Sequence, residues 1–244
     1  MNAGAGRRLR RLCQIGDFGF PAPRGCGFPA TQGTGERGLE RMETTPPIWD
    51  GPPLEAWDAW TPEAAAARLA GVDAPWCVVG GWALDLWLGR QSRPHGDLEI
   101  AIPRGAFGAM RGALAGFALH VVGDGEVRAL DPGAEPPAHR HQTWVREGRA
   151  WRMDVMLEPG DAETWIFRRD ERLTAPRSRM VGVSTAPYLK PEGVLLYKAA
   201  RPRPKDEADF GLIAPLLEAP ARAWLTAALA RLYPGHAWLE RLNP

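Results

Sequence analysis

Asp97 and Glu99 stand one residue apart in "DLEIAIP" (residues 97–103), a stretch that alternates and stops at a proline as a strand does. Side chains at i and i+2 of a strand share a face. The two carboxylates therefore leave together, while Leu98, Ile100 and Ile102 turn to the core. Two like charges this close repel in a low-dielectric site, and one would normally be protonated. A divalent cation removes that conflict. Mg²⁺ prefers hard carboxylate oxygens and binds through one or two of them plus substrate phosphates. An isolated pair of this kind is more often two solvated acids on an exposed strand. Asp154 changes the balance. In "AWRMDVML" (150–157) the residues Trp151, Met153, Val155 and Leu157 form an apolar face, and Asp154 points the other way. If the two strands pair, three carboxylates converge on one side of a sheet.

Gly80 and Gly81 lie between the apolar run "WCVV" and a helix-like stretch. Glycines let backbone N–H groups approach a ligand closely, and a following helix offers its positive end, which suits a triphosphate. Most Gly-Gly pairs are simple turns, so the weight comes from the acids sixteen residues on. Arg93 and His95 precede the acid pair in a loop. Arg93 reads evenly as a phosphate contact or as an ion pair with Asp85 or Asp97; His95 reads as structural, as does Asp85 in the first turn of its helix. In "YKAARPRPKDEADF" (197–210), Lys198 and Lys205 bring positive charge followed by Asp206 and Asp209. His139 and His141 flank Arg140 without metal-ligand spacing and suit a surface or an acceptor pocket.

The elements that must position these residues follow from pattern. "TPEAAAARLAGV" (61–72) is a helix capped by Thr61, with Pro62 at its first position and Gly71 at its end. "WCVVGG" (76–81) is a buried strand running into a turn, and "WALDLWLG" (82–89) is a helix closed by Gly89. "RGAFGAMRGALAG" (104–116) is a glycine-weakened helix and "FALHVVG" (117–123) a strand. "HQTWVREGRAWRMDVMLEP" (141–159) is a hairpin turning at "EGR". Beyond Pro159 the pattern is helical. Three segments are expected: a disordered or artefactual extension over 1–48, with translation starting near Met42; an α/β domain over 49–158; and a helical C-terminal domain over 159–244.

The chain has 244 residues and a net charge of +1, so no global field draws it to nucleic acid or membrane. No apolar run is long enough to span a bilayer, and the opening lacks the apolar stretch of a secretory signal. Three cysteines without metal or redox spacing (Cys13, Cys26, Cys77) fit a reducing, cytoplasmic setting. The eleven tryptophans read mostly as packing.

"GGWALDLWLGRQSRPHGDLEIAI" resembles the nucleotidyltransferase superfamily of the DNA polymerase beta type, whose members carry a Gly-Gly or Gly-Ser turn, an acid pair on the next strand and a third acid on a later one. The order "GGWxxD", glycine, "R-x-H" and acid pair is most similar to the small-molecule branch, the aminoglycoside and lincosamide nucleotidyltransferases. "MDVMLEP" is similar to the stretch with that branch's third acid. Glu99 departs from the usual aspartate but is still a metal-binding carboxylate. The resemblance implies an α/β (α+β) fold: a small mixed sheet flanked by helices, with a helical C-terminal domain. It implies Mg²⁺ held by Asp97, Glu99 and Asp154. Asp154 ligates a metal, accepts the proton of the attacking hydroxyl, or both. The nucleotide is held by Gly80, Gly81, Arg93, Lys198 and Lys205.

The expected reaction transfers AMP from ATP to a hydroxyl of a small molecule, an aminoglycoside-like antibiotic among the candidates. Glu158, Asp161, Glu163 and Asp170 either line a cleft for such a polycation or sit at the surface. The alternatives are a protein-modifying adenylyltransferase and a nucleotide-binding protein without turnover. No polynucleotide or membrane partner is expected, and the assembly would be a monomer or homodimer.

Overall fold

The computed structural model describes residues 51–243; the expectations for residues 1–48 lie outside the described residues. Thr61 caps the first helix, α1 (Pro62–Leu69), by accepting a hydrogen bond from the Ala64 N–H, with proline at the start as anticipated. Strand β1 (Cys77–Val78) is shorter than the apolar run predicts, because α2 (Gly80–Leu88) begins at the glycines themselves. Gly80 takes φ +65°, which lets the chain turn from strand into helix. Gly89 closes α2 in the left-handed conformation, its N–H bonded to the Asp85 carbonyl.

Strand β2 (Glu99–Pro103) starts two residues later than the alternation implies, so Asp97 and Leu98 lie just before it. Then come α3 (Phe107–Ala113), β3 (Ala118–Gly123), β4 (Glu126–Ala129), β5 (Gln142–Glu147) and β6 (Ala150–Glu158). A small two-stranded sheet pairs β7 (Thr164–Ile166) with β8 (Thr174–Pro176). The short helix α4 (Arg177–Met180) leads to β9 (Val181–Val183) and β10 (Pro187–Leu189). The helices α5 (Pro191–Ala199), α6 (Pro204–Ile213), α7 (Ala219–Leu232) and α8 (Trp238–Leu242) complete the described chain.

The main sheet has eight strands in the order β4-β3-β5-β6-β2-β1-β10-β9. It is mixed: β2 runs parallel to β6 and β1 parallel to β10, and the other pairs are antiparallel. The mixed sheet with flanking helices is the expected fold class. The sheet does not stop at residue 158, since β9 and β10 extend it beside β1. Helices dominate only from residue 191.

Leu98, Ile100 and Ile102 are fully buried, as are Met153, Val155 and Val145. They join one core with Ala65 and Leu69 of α1, and with Phe107 and Met110 of α3. Trp151 leaves the face that alternation assigns it. The β5–β6 register shifts at Val145/Arg146, and Trp151 packs instead in a separate cluster with Val122 and Trp144, edge-on to Trp144 at 5.1 Å. A bulge adds a residue to one strand and reverses the facing beyond it. No helix among the described residues is long and apolar enough to cross a membrane.

Ile100 sits at the centre of the main core, so Ile100→Ala should cost about 2–5 kcal/mol. Val183→Thr, at an exposed edge position, should stay within about 0.5 kcal/mol. Urea unfolding midpoints compare the two; equal midpoints would mean that the β2 face is not core.

Candidate active site

The register of the parallel pair is the central geometric fact. Glu99 of β2 and Asp154 of β6 are direct partners, so their side chains leave the same face one strand spacing apart, about 4.8 Å. The Asp154 N–H donates to the Leu98 carbonyl at 2.8 Å, and the Val79 N–H to the Glu99 carbonyl at 2.9 Å. These bonds tie both acids to the end of β1 that enters the glycine turn. Glu99 and Asp154 are both buried, and Asp97 is half-buried.

Burial pushes the Asp154 carboxyl up to about 7. The Gln142 side-chain amide opposes that shift by donating to Oδ2 at 2.8 Å. The Trp144 indole, on the cross-strand partner of Asp154, opposes it too without completing a hydrogen bond. The charge of Asp97 pushes the same way as burial, which places all three predicted acids within electrostatic reach of one another along β2 and β6.

The donor set suits Mg²⁺: hard oxygens only, with Asp154 Oδ1 buried and accepting no hydrogen bond from a described residue. No group of three or more His, Cys, Asp or Glu side chains able to hold a metal is present among the described residues.

Gly81 is required by close approach. A Cβ there would come within 2.6 Å of His95 Cε1 and closer still to the Arg93 guanidinium. Those two side chains lie across the first turn of α2 in a bonded chain. Arg93 has only donors, so its contact to His95 Nδ1 at 3.2 Å makes that nitrogen the acceptor. His95 Nε2 then donates to Asp85 Oδ2 at 2.5 Å, and Asp85 Oδ1 takes the Ser92 N–H and hydroxyl. His95 also packs against Trp82 at 4.4 Å. Asp85 is not in the first turn of its helix as expected, because α2 begins at Gly80.

Arg93 also reaches far along the chain. Its guanidinium forks onto Asp209 of α6, at 3.1 Å and 3.2 Å. Lys198 of α5 is buried, with Nζ 2.8 Å from Asp206 and 3.1 Å from Asp209. Lys205 is half-buried in the first turn of α6. Two of the cations expected around a nucleotide, Arg93 and Lys198, are therefore drawn together by carboxylates of α6.

The acids read as either cleft-lining or surface divide: Asp161 and Glu163 are exposed, Asp170 is half-buried and Glu158 is buried. Glu158 is buried, accepts from Tyr197 Oη at 2.9 Å and pairs with Arg168 at 3.3 Å. Asp161 accepts the Glu163 and Thr164 N–H groups. Asp170 pairs with Arg172 and Arg231. Sequence reasoning missed Gln142. Its signal was the alternation in "QTWVR", which puts Gln142 and Trp144 on one face.

Residues 63–130 match a family model described as aminoglycoside-2''-adenylyltransferase. No curated protein matches the sequence. Two solved structures align: a crystal structure of ANT(2'')-Ia in complex with adenylyl-2''-tobramycin, at 18% identity, covering 68% of this chain and 92% of that one, TM-score 0.45; and a solution structure of the antibiotic-resistance factor ANT(2'')-Ia, at 19% identity, covering 72% and 91%, TM-score 0.44.

Gly81→Ala should displace Arg93 and His95 and lower the thermal midpoint. Gly96→Ala, where nothing lies within 4 Å, should leave it nearly unchanged. Equal midpoints would remove the steric argument. His141 supplies a second test. Burial, then Arg168 and Arg104, depress its pKa to about 4. The unfolded chain binds that proton from about pH 6.5 downward while the native state does not, so stability falls as pH drops from 6.5 toward 4. His141→Gln should flatten that part of a melting-temperature profile; an unaltered slope would assign the acid sensitivity elsewhere.

The matched stretch contains the glycine turn, the Arg93–His95 loop and the acid pair, so over these residues the chain resembles the aminoglycoside nucleotidyltransferases.

Proposed function

We propose that this chain is a Mg²⁺-dependent adenylyltransferase that moves AMP from ATP to a hydroxyl of an aminoglycoside. The observation that carries the reading is the side-by-side burial of Glu99 and Asp154 on parallel strands, with Asp97 beside them. The family match over residues 63–130 names the donor group and the acceptor class. Asp154 and the helices from residue 191 lie beyond that match and rest on the geometry.

Asp97 and Glu99, with Asp154 as third ligand or as base, would hold the metal. Bound Mg²⁺ would neutralise the triphosphate and stabilise charge on the attacking and leaving oxygens. Asp154 accepts the hydroxyl proton through a carboxylate poised near neutrality by burial. The hydroxyl oxygen bonds to the α-phosphorus, the bond from that phosphorus to the bridging oxygen breaks, and pyrophosphate leaves with the electron pair. Gly80 and Gly81 offer backbone N–H groups at the start of α2 to the phosphates. Arg93, partly exposed where Lys198 is not, and Lys205 are the cations with access to phosphate. Lys198 acts by holding Asp206 and Asp209.

α-Labelled ATP, Mg²⁺ and tobramycin test the reading. Label should move onto the aminoglycoside with one pyrophosphate released per transfer, and Asp154→Asn should slow it by about 10²–10⁴-fold. No transfer to any aminoglycoside would overturn the acceptor class. Transfer undiminished in Asp154→Asn would overturn the base.

A further inference from the structure

Gln142 is buried at the start of β5, 5% exposed, and its side-chain Nε2 donates to Asp154 Oδ2 at 2.8 Å. Both partners are enclosed, so water cannot take over either role. Gln142 pairs across strands with Met156 and Trp144 with Asp154. The amide therefore reaches diagonally along the face, a distance suited to a long side chain. The bond distinguishes the two carboxylate oxygens. Oδ2 is occupied by the amide, whereas Oδ1 is buried and accepts no hydrogen bond from a described residue.

We infer that Gln142 is a positioning residue for the proposed adenylyl transfer: it clamps Oδ2 of Asp154 and thereby presents Oδ1 as the working oxygen. A buried carboxylate anchored at one oxygen cannot rotate about its Cβ–Cγ bond without breaking a charge-assisted hydrogen bond. The anchor lies in a regular strand, locked by the β3–β5–β6 ladder, where geometry is held more closely than in a loop. Near-attack alignment of base and hydroxyl depends on this kind of restraint. The inference rests on the proposed function for its kinetic consequence, but the bond itself does not.

Gln142→Met keeps the length and volume of the side chain and removes the donor. In the full-length protein it should lower kcat by about ten- to a hundredfold, the range expected for losing a hydrogen bond to a charged group. KM for ATP should stay within about twofold, since the amide touches the base and not the nucleotide. In an Asp154→Asn background the same change should have little further effect, because Gln142 acts through that carboxylate. Independent multiplication of the two losses, or a rise in KM with kcat retained, would overturn the inference. A second measurement needs no substrate. The ¹⁵N side-chain amide resonances of Gln142 should shift in Asp154→Asn as the acceptor loses its charge. Unshifted resonances would show that the clamp is absent, whatever the reaction proves to be. If wild type transfers no adenylyl group yet the resonances shift, the function fails while the clamp stands, and the assignment of Oδ1 as a working oxygen fails with it.

Discussion

Two carboxylates buried side by side are the constraint to which the rest of the fold answers. Parallel pairing of β2 with β6 in the Glu99–Asp154 register sets it. Parallel strands cannot be joined by a hairpin; the chain must cross over. Here the crossover is long, running through α3, β3 and β4 before β5 returns as the antiparallel neighbour of β6. That route delivers Gln142 and Trp144 to the flank of Asp154. Burying a carboxylate without compensation is costly. The compensation is local: an amide on one oxygen, an indole N–H nearby and the more distant charge of Arg168. What remains uncompensated leaves the carboxyl near neutrality and one of its oxygens without a hydrogen bond, which is the chemical opportunity of the site.

Much of this was legible because it is local. The alternation of 99–103 and 153–157, the Thr61 cap and the Gly89 stop each depend on a few neighbouring residues, and each appears where pattern places it. The three acids were legible as polar interruptions of apolar strands. Other features depend on contacts that no window of sequence contains. Arg93 meets Asp209 across 116 residues, a partner that no local window offers. Trp151 changes sides because of a one-residue register shift that β-propensity does not register. Strands β9 and β10 have three residues each, too short for alternation to separate them from loop. The acids after residue 158 looked available only because their partners Tyr197, Arg168 and Arg231 are remote or in another element.

The Arg93–Asp209–Lys198–Asp206 chain ties the loop before Asp97 to the helices that follow the sheet. Arg93 forks onto Asp209, which also takes Lys198, and Lys198 reaches Asp206. One connected set of charges therefore spans the loop before Asp97, helix α5 and helix α6. Removing a single member of a buried ionic set leaves its partners uncompensated, so the set behaves as a unit. Its members differ in access: Lys198 and Asp206 are enclosed, whereas the Arg93 side chain is 23% exposed. Solvent therefore reaches Arg93 but not Lys198, which is enclosed among its partners. Lys198 pairs with Asp209 from the enclosed side and Arg93 from the more exposed one. The same loop is tethered a second time, to α2 through His95 and Asp85, so it is held from both sides.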